Sequence, residues 1–310
     1  MQIERLKTLE PQGWPATVVT LGNFDGVHRG HQALVAAARE RARAGSGTAV
    51  VLTFDPHPAR ILSPARAPAA LMTIQQKGEI LRDLGVDRLA VLPFTAELAN
   101  RTASDFARTV LFQTLEARVV VVGEPFRFGR GRAGNVETLR TLGDDLGFEV
   151  VAVPPVLLGG VPISSSRVRA ALEIGDVEAA EDLLGRPFFV DGEVVHGAAR
   201  GRSLGFPTAN VSSENEILPS AGVYACWSEA EGQGGRTPAV ANVGRRPTFG
   251  SGALGLEVHL LGWSGELYGR RIRVAFASRL RAEREFPSAG ALVEQIQNDV
   301  RDARRVLEKA

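Results

Sequence analysis

Cysteine is nearly missing: Cys226 stands alone among 310 residues, so no disulfide can close within the chain and no cysteine zinc site can be built. The lone thiol reads as a small buried apolar side chain in a reducing setting. Long apolar runs are missing too. No stretch of about 18 apolar residues exists to cross a membrane, and the opening MQIERLKTLE lacks the apolar segment of a signal peptide. Excess charge is also lacking: 36 Lys plus Arg face 35 Asp plus Glu, a formal net charge of +1, which gives no electrostatic case for a polyanion partner. Internal repeats and low-complexity tracts are not found. These absences predict a cytoplasmic protein that takes neither nucleic acid nor membrane as partner and binds phosphate only locally. They do not address oligomeric state.

What is present is ordinary globular material. Apolar residues make up 44% of the chain and charged residues 23%, enough to build real cores. A length of 310 residues exceeds what one compact core usually holds, so two domains are expected.

In the first half, β-branched runs at 17–24, 49–54, 88–94, 118–123 and 148–153 alternate with helical patterns at 31–43, 74–84, 104–115 and 136–146. That rhythm predicts an α/β fold with a parallel sheet covered on both faces. Two short helices are expected at 167–173 and 177–184, joined at Gly175-Asp176 and broken by Gly185-Arg186-Pro187. The boundary is therefore placed between 1–184 and 185–310. Beyond it, strands and Gly-rich turns predict an antiparallel β-barrel, closed by a helix over 288–307.

The segment Gly22-Asn23-Phe24-Asp25-Gly26-Val27-His28-Arg29-Gly30-His31 sits where the first predicted strand runs into the first helix. In parallel α/β folds ligands bind at that place. Gly26 and Gly30 let backbone approach a phosphate, and a helix amino end supplies free N–H groups and a positive dipole. His28 and His31, three apart, can share one face and donate to triphosphate oxygens while pyrophosphate leaves. A Gly-rich turn with two histidines can also be a mere helix cap. Ile163-Ser164-Ser165-Ser166-Arg167-Val168-Arg169 argues for more, because it follows the last strand and opens a helix with hydroxyls and guanidinium groups suited to phosphate. The overlapping Gly129, Gly131 and Gly134 spell GxGxxG but lie in a loop well past the strand, so they are discounted as a dinucleotide fingerprint.

These residues resemble the adenylyltransferase module of bacterial bifunctional riboflavin kinase/FAD synthetases. The resemblance implies a Rossmann-like nucleotidyltransferase domain whose ATP is bound by Gly22, Asn23, Phe24, Asp25, Gly26, His28, Gly30, His31, Ser164, Ser165, Ser166 and Arg167, with His28 and His31 catalytic. Thr53-Phe54-Asp55-Pro56-His57-Pro58 resembles another signature of the family, and with Phe126 and Phe128 it implies a flavin contact through Phe54, Pro56 and His57. The chain departs from the family at Pro125, where Asp or Asn is usual; proline has no N–H to offer and its ring accepts no polar contact.

In the second half, His196-Gly197-Ala198-Ala199-Arg200-Gly201-Arg202-Ser203-Leu204-Gly205-Phe206-Pro207-Thr208-Ala209-Asn210 spaces glycines through a basic stretch and ends in PTAN. Such a loop can wrap phosphates with its N–H groups. Thr208 and Asn210 face one side of a strand and offer neutral oxygens to a hard Mg²⁺ held by ATP phosphates. Glu257, in an otherwise apolar strand, is a candidate general base, while His259 on the same face is read as structural. This half is similar to the flavokinase domain of the same family. The similarity implies ATP binding by Gly197, Gly201, Gly205, Phe206, Pro207, Thr208 and Asn210, Mg²⁺ on Thr208 and Asn210, Glu257 as base, and flavin near Trp263, Arg281 and Phe286.

The activity so implied is riboflavin plus ATP to FMN, then FMN plus ATP to FAD. Two alternatives stay open here: a kinase with a degenerate adenylyltransferase half, and a flavin or nucleotide sensor without turnover. An RNA-directed enzyme sharing the HxGH element is a third, against which the lack of a basic stripe speaks.

Overall fold

The computed structural model describes residues 1–196, 205–232, 234–245 and 254–309. The chain divides into two compact units, Met1–Ser164 and Ser165–Ala310.

The first unit carries a six-stranded sheet of β1 (Gln2–Arg5), β2 (Thr17–Leu21), β3 (Ala49–Asp55), β4 (Arg88–Pro93), β5 (Ala117–Gly123) and β6 (Glu149–Val153). Its order is β1-β4-β3-β2-β5-β6 and every pairing is parallel. All five residues of β2 are buried, as a strand covered on both faces requires. Helices α1 (Arg29–Ala44), α2 (Pro58–Leu62), α3 (Ile74–Asp83), α4 (Ala96–Ala99), α5 (Ala103–Phe106) and α6 (Val136–Leu146) connect the strands. On one face, Val35 of α1 and Leu81 of α3 pack with Val51, Leu89 and Val91. On the other, Phe106, Val110, Leu111 and Leu139 pack with Val19, Val50 and Val120. The predicted two-sided α/β sheet is therefore what forms.

Three local differences have physical causes. The first strand stops at Leu21 rather than 24, because Phe24 takes a left-handed φ of 46° and turns the chain. The helix expected over 104–115 is α-helical only over Ala103–Phe106, then widens to π-type bonding over Ala107–Thr114. Strand β1 escaped the sequence reading: it is a four-residue edge strand with no alternation to betray it, and it pairs with β4. A short antiparallel pair, β7 (Leu157–Leu158) and β8 (Val161–Pro162), follows the sheet.

The second unit opens with α7 (Ser165–Ile174) and α8 (Val177–Leu184). Arg279 donates to the carbonyls of Ile174 and Ala221 at 2.8 and 2.9 Å, tying the end of α7 to the strands that follow. Those strands are β9 (Phe188–Val195), β10 (Ala209–Ser213), β11 (Gly222–Ala230), β12 (Thr237–Arg245), β13 (Leu254–Leu260) and β14 (Arg271–Arg281), closed as a barrel in the order β10-β13-β12-β11-β14-β9. Closure removes the free edges. Along β13, Leu256, Val258 and Leu260 are buried and alternate with half-exposed Glu257 and His259. Helix α9 (Ala289–Leu307) lies on the outside, its Ala303 and Leu307 packing against Val223, Ala225 and Val240.

Candidate active sites

In the first unit, strand order reverses between β2 and β5, and this is where an α/β sheet opens a crevice at its carboxyl end. The loop leaving β2 is tightly wound there. Gly26 has φ +82°, and Phe24 and Val27, which are not glycines, also take positive φ of 46° and 39°. For a β-branched residue such as Val27 that is a strained geometry, costing on the order of 1–3 kcal/mol, and such strain persists only where the surroundings over-determine it.

His28 caps α1: its Nδ1 accepts a hydrogen bond from the backbone N–H of His31 at 3.4 Å. In the neutral ring the proton then sits on Nε2. The two imidazoles stack, centroids 3.7 Å apart and planes within 15°, and Phe24 stands 4.9 Å from His31. A side chain at Gly30 would meet the His28 ring at 3.2 Å, close enough that the imidazole would have to shift by a few tenths of an ångström. Burial, the His28 ring and Lys77 hold the His31 imidazole well below its usual range, so it is neutral at ordinary pH. Its Nδ1 is buried without a partner among the described residues.

Strand β3 supplies the opposite wall. Thr53 donates to the Asn23 carbonyl at 3.0 Å, and the Asn23 side chain stands 3.0 Å from His57 Nε2. His57 Nδ1 accepts from the N–H of Ala59 at 3.1 Å and so caps α2. Buried Asp25 accepts from the N–H of Leu71 at 3.0 Å. The backbone oxygen of Ile163 lies 3.8 Å from where a Gly30 side chain would begin, bringing the residue before Ser164 to the amino end of α1. Ser165, Ser166 and Arg167 open α7, with Ser166 exposed.

The aromatic residues near β5 divide. Phe128 is buried in the core, stacked on Phe126 at 5.4 Å and bridged by backbone to Gly134. Phe126 is half-buried, and Phe54 packs edge-on against Phe94 at 5.5 Å. Pro125 is exposed in a turn closed by the Phe126 N–H donating to the Gly123 carbonyl at 2.9 Å. Side chains at Gly129 and Gly134 would strike Ala103 and Phe128 within 3.0 Å, so these glycines serve packing.

In the second unit, Asn210 of β10 pairs with Glu257 of β13, which pairs in turn with Asn242 of β12. Three polar side chains thus stand side by side on one face of the barrel wall, with Asn210 buried. His259, two residues along, donates from Nδ1 to the Pro207 carbonyl at 2.8 Å and meets Phe206 edge-on at 5.7 Å. It fastens the start of the Pro207-Thr208-Ala209-Asn210 segment to β13. A cavity of about 590 Å³ opens beside that segment, lined by Val194, Thr208, Val258, Leu260, Trp263 and Tyr268 among others. The Trp263 indole N–H is buried without a partner among the described residues.

Arg281 and Phe286 do not line this cavity. Arg281 grips buried Asp299 of α9 through Nε at 2.9 and 3.1 Å and Nη2 at 2.8 Å, and Phe286 lies under the guanidinium groups of Arg281 and Arg284. Gly197 and Gly201 lie outside the described residues, whereas exposed Gly205 precedes Phe206. Asn242 opens the segment 242–249, which also resembles the flavokinase family, but sequence reasoning assigned it no role, and its pairing with Glu257 crosses 15 residues of chain. Lys77 was not singled out, although its position on the buried face of α3 was a readable signal. Burial pushes the Cys226 thiol up, consistent with an inert core residue.

Among the described residues no helix is long and apolar enough to cross a membrane. The family model of FAD synthetase matches residues 10–167, and that of riboflavin kinase matches residues 184–307. The chain is similar to bifunctional riboflavin kinase/FMN adenylyltransferases of Pseudomonas fluorescens, 42% identical over 98% of this chain and 97% of that one, and of Escherichia coli strain K12, 41% identical over 93% and 91%. The Bacillus subtilis strain 168 protein of the same name is 37% identical over 93% and 92%. A crystal structure from Streptococcus pneumoniae, named as a macrolide-efflux protein, shares the fold with a TM-score of 0.88 and 32% identity over 97% of this chain and 98% of that one. Two domain models that together span nearly the whole chain, and relatives alike along their full length, place it: the chain belongs to the bifunctional riboflavin kinase/FMN adenylyltransferase family.

Proposed function

We propose that the chain phosphorylates riboflavin to FMN and then adenylylates FMN to FAD with release of pyrophosphate, using ATP at both steps. The observation that carries this reading is that each unit keeps a separate phosphate-directed constellation: the stacked His28–His31 pair in one, the Asn210–Glu257–Asn242 row beside Thr208 in the other. Residues 1–184 form the adenylyltransferase part with its short helical linker, and residues 185–310 the kinase part, in a cytoplasmic protein.

In the adenylyltransferase half, an FMN phosphate oxygen attacks the α-phosphorus of ATP and the bond to pyrophosphate breaks, with no covalent enzyme intermediate. Gly22, Asn23, Phe24, Asp25, Gly26 and Gly30 form the turn that receives the triphosphate, and Ser164, Ser165, Ser166 and Arg167 contribute hydroxyls and charge. His28 donates from Nε2 and neutral His31 from its single N–H to oxygens that gain charge as pyrophosphate leaves. Phe54, Pro56, His57 and half-buried Phe126 are the flavin contacts. Phe128 supports Phe126 from the core.

In the kinase half, Glu257 accepts the proton of the terminal ribityl hydroxyl as that oxygen bonds to the γ-phosphorus and ADP departs. Thr208 and Asn210 present neutral oxygens, a donor set that fits Mg²⁺ shared with ATP phosphates; among the described residues no group of three or more His, Cys, Asp or Glu could hold a metal alone. When bound, the ion neutralises phosphate charge. Gly205, Phe206 and Pro207 take the phosphates; Gly197 and Gly201, given the same role, lie outside the described residues. Trp263 shares a cavity with Thr208 and is the flavin contact of this half, whereas Arg281, held by Asp299, and Phe286, beneath the guanidinium groups of Arg281 and Arg284, do not line that cavity.

Product chromatography tests the reading, with riboflavin and FMN supplied separately to purified protein, ATP and Mg²⁺. Riboflavin should give FMN and then FAD, and FMN should give FAD and pyrophosphate. Absence of FMN from riboflavin would overturn the kinase assignment. FMN without FAD would leave a kinase alone, with Pro125 as the first position to change.

A further inference from the structure

Lys77 enters the first unit from α3. Thr73 caps that helix, its side chain accepting from the N–H of Gln76 while the Gln76 amide oxygen accepts from the N–H of Thr73. This fixes the first turn and aims Lys77 inward with Leu81. Only 5% of Lys77 is exposed, and its Nζ donates to the Asn23 carbonyl at 2.7 Å and to Thr53 Oγ1 at 3.2 Å. Thr53 itself donates to the same carbonyl at 3.0 Å. Two donors from two elements, α3 and β3, thus close on one backbone oxygen at the root of the strained turn that carries His28 and His31, and they also bond each other.

We infer that Lys77 is a positioning residue for FMN adenylylation: it clamps the Asn23 peptide to β3, so that the turn stays wound and the histidine pair stays in place. A buried ammonium is a poor choice for stability, because desolvating a charge is costly and an apolar side chain of similar volume would serve the core as well. What an apolar side chain cannot do is hold the carbonyl that Thr53 shares. The ammonium also faces His31, where its charge favours the neutral imidazole. Asp25 and Asp55 face the ammonium from the turn and from the end of β3, and burial lowers it to about 8 against their opposing pull.

This inference rests on the proposed adenylylation, so FAD formation from FMN by the native chain is measured first; failure there is failure of that proposal. Given native activity, Lys77→Met removes the charge and both hydrogen bonds at nearly constant volume. The expected result is a fall in kcat for FAD formation of about tenfold or more, with the KM for ATP changed far less. The acid limb of the pH–rate profile should also move to higher pH, as His31 loses its cationic neighbour. Riboflavin phosphorylation by the same molecules should be unchanged, and heat stability should not fall. Native kcat and profile in the variant would overturn the inference, as would a slowed reaction whose acid limb has not moved. If the first unit of Lys77→Met fails to fold, Thr53→Val decides: it removes only the shared hydroxyl, a several-fold fall in kcat is expected, and native kcat would overturn the inference.

Discussion

At the residue scale, two groups of the first unit make stability depend on pH in ways whose sign can be worked out. Lys77 falls from 10.5 to about 8 through burial. Between those values the unfolded chain keeps a proton that the folded chain has released, so stability rises with pH across that window. The penalty removed is roughly 3 kcal/mol. Denaturant unfolding should therefore show the stability advantage of Lys77→Met over the native chain to be largest below pH 8 and to shrink by about that amount towards pH 10.5. His31, lowered first by burial and then by His28 and Lys77, acts at the other end: below 6.5 the unfolded chain takes up a proton that the folded chain refuses, so stability drops as pH falls. Glu257 calls for a kinetic test. Glu257→Gln should lower the rate of FMN formation by about 10²- to 10⁴-fold while flavin fluorescence titration shows binding retained.

At the element scale, α9 is joined to the rest of the second unit by the Arg281–Asp299 ion pair, an Arg284–Gln295 hydrogen bond and an apolar stripe. Asp299 is 4% exposed and receives Arg281 together with Gln295 Nε2 at 2.7 Å. Asp299→Ala leaves the partly exposed Arg281 guanidinium and Gln295 without their shared acceptor, so it should cost about 2–3 kcal/mol, read as a lower unfolding temperature of the second unit; an unchanged transition would show the pair to be dispensable. Helix α1 depends on close approach rather than charge. Gly30→Ala puts a methyl group 3.2 Å from the His28 ring, so FAD formation should slow while FMN formation continues.

At the scale of the whole molecule, each unit has its own core and its own constellation, which predicts separable activities. Glu257→Gln should still turn supplied FMN into FAD, and a chain carrying His28→Ala should convert riboflavin to FMN and stop there; chromatography of both products checks the pair. The sequence by itself determined the main order of elements and the class of each half, and it supplied the candidate residues for the chemistry. Periodicity is local, and His28, His31, Thr208 and Asn210 lie within short segments whose turns and glycines reveal them. Lys77 was half legible, a lysine sharing the inner face of α3 with Ile74 and Leu81, yet nothing in one helix says which carbonyl it reaches. Tertiary structure alone decided what crosses the chain: β1 on the sheet edge, Asn242 beside Glu257, Arg281 committed to Asp299, and Phe128 in the core while Phe126 is left half-buried. The physical reason is that strand register and side-chain burial are set by partners far away in sequence. Those partners choose which of a segment's chemically capable residues meet a substrate and which hold the fold.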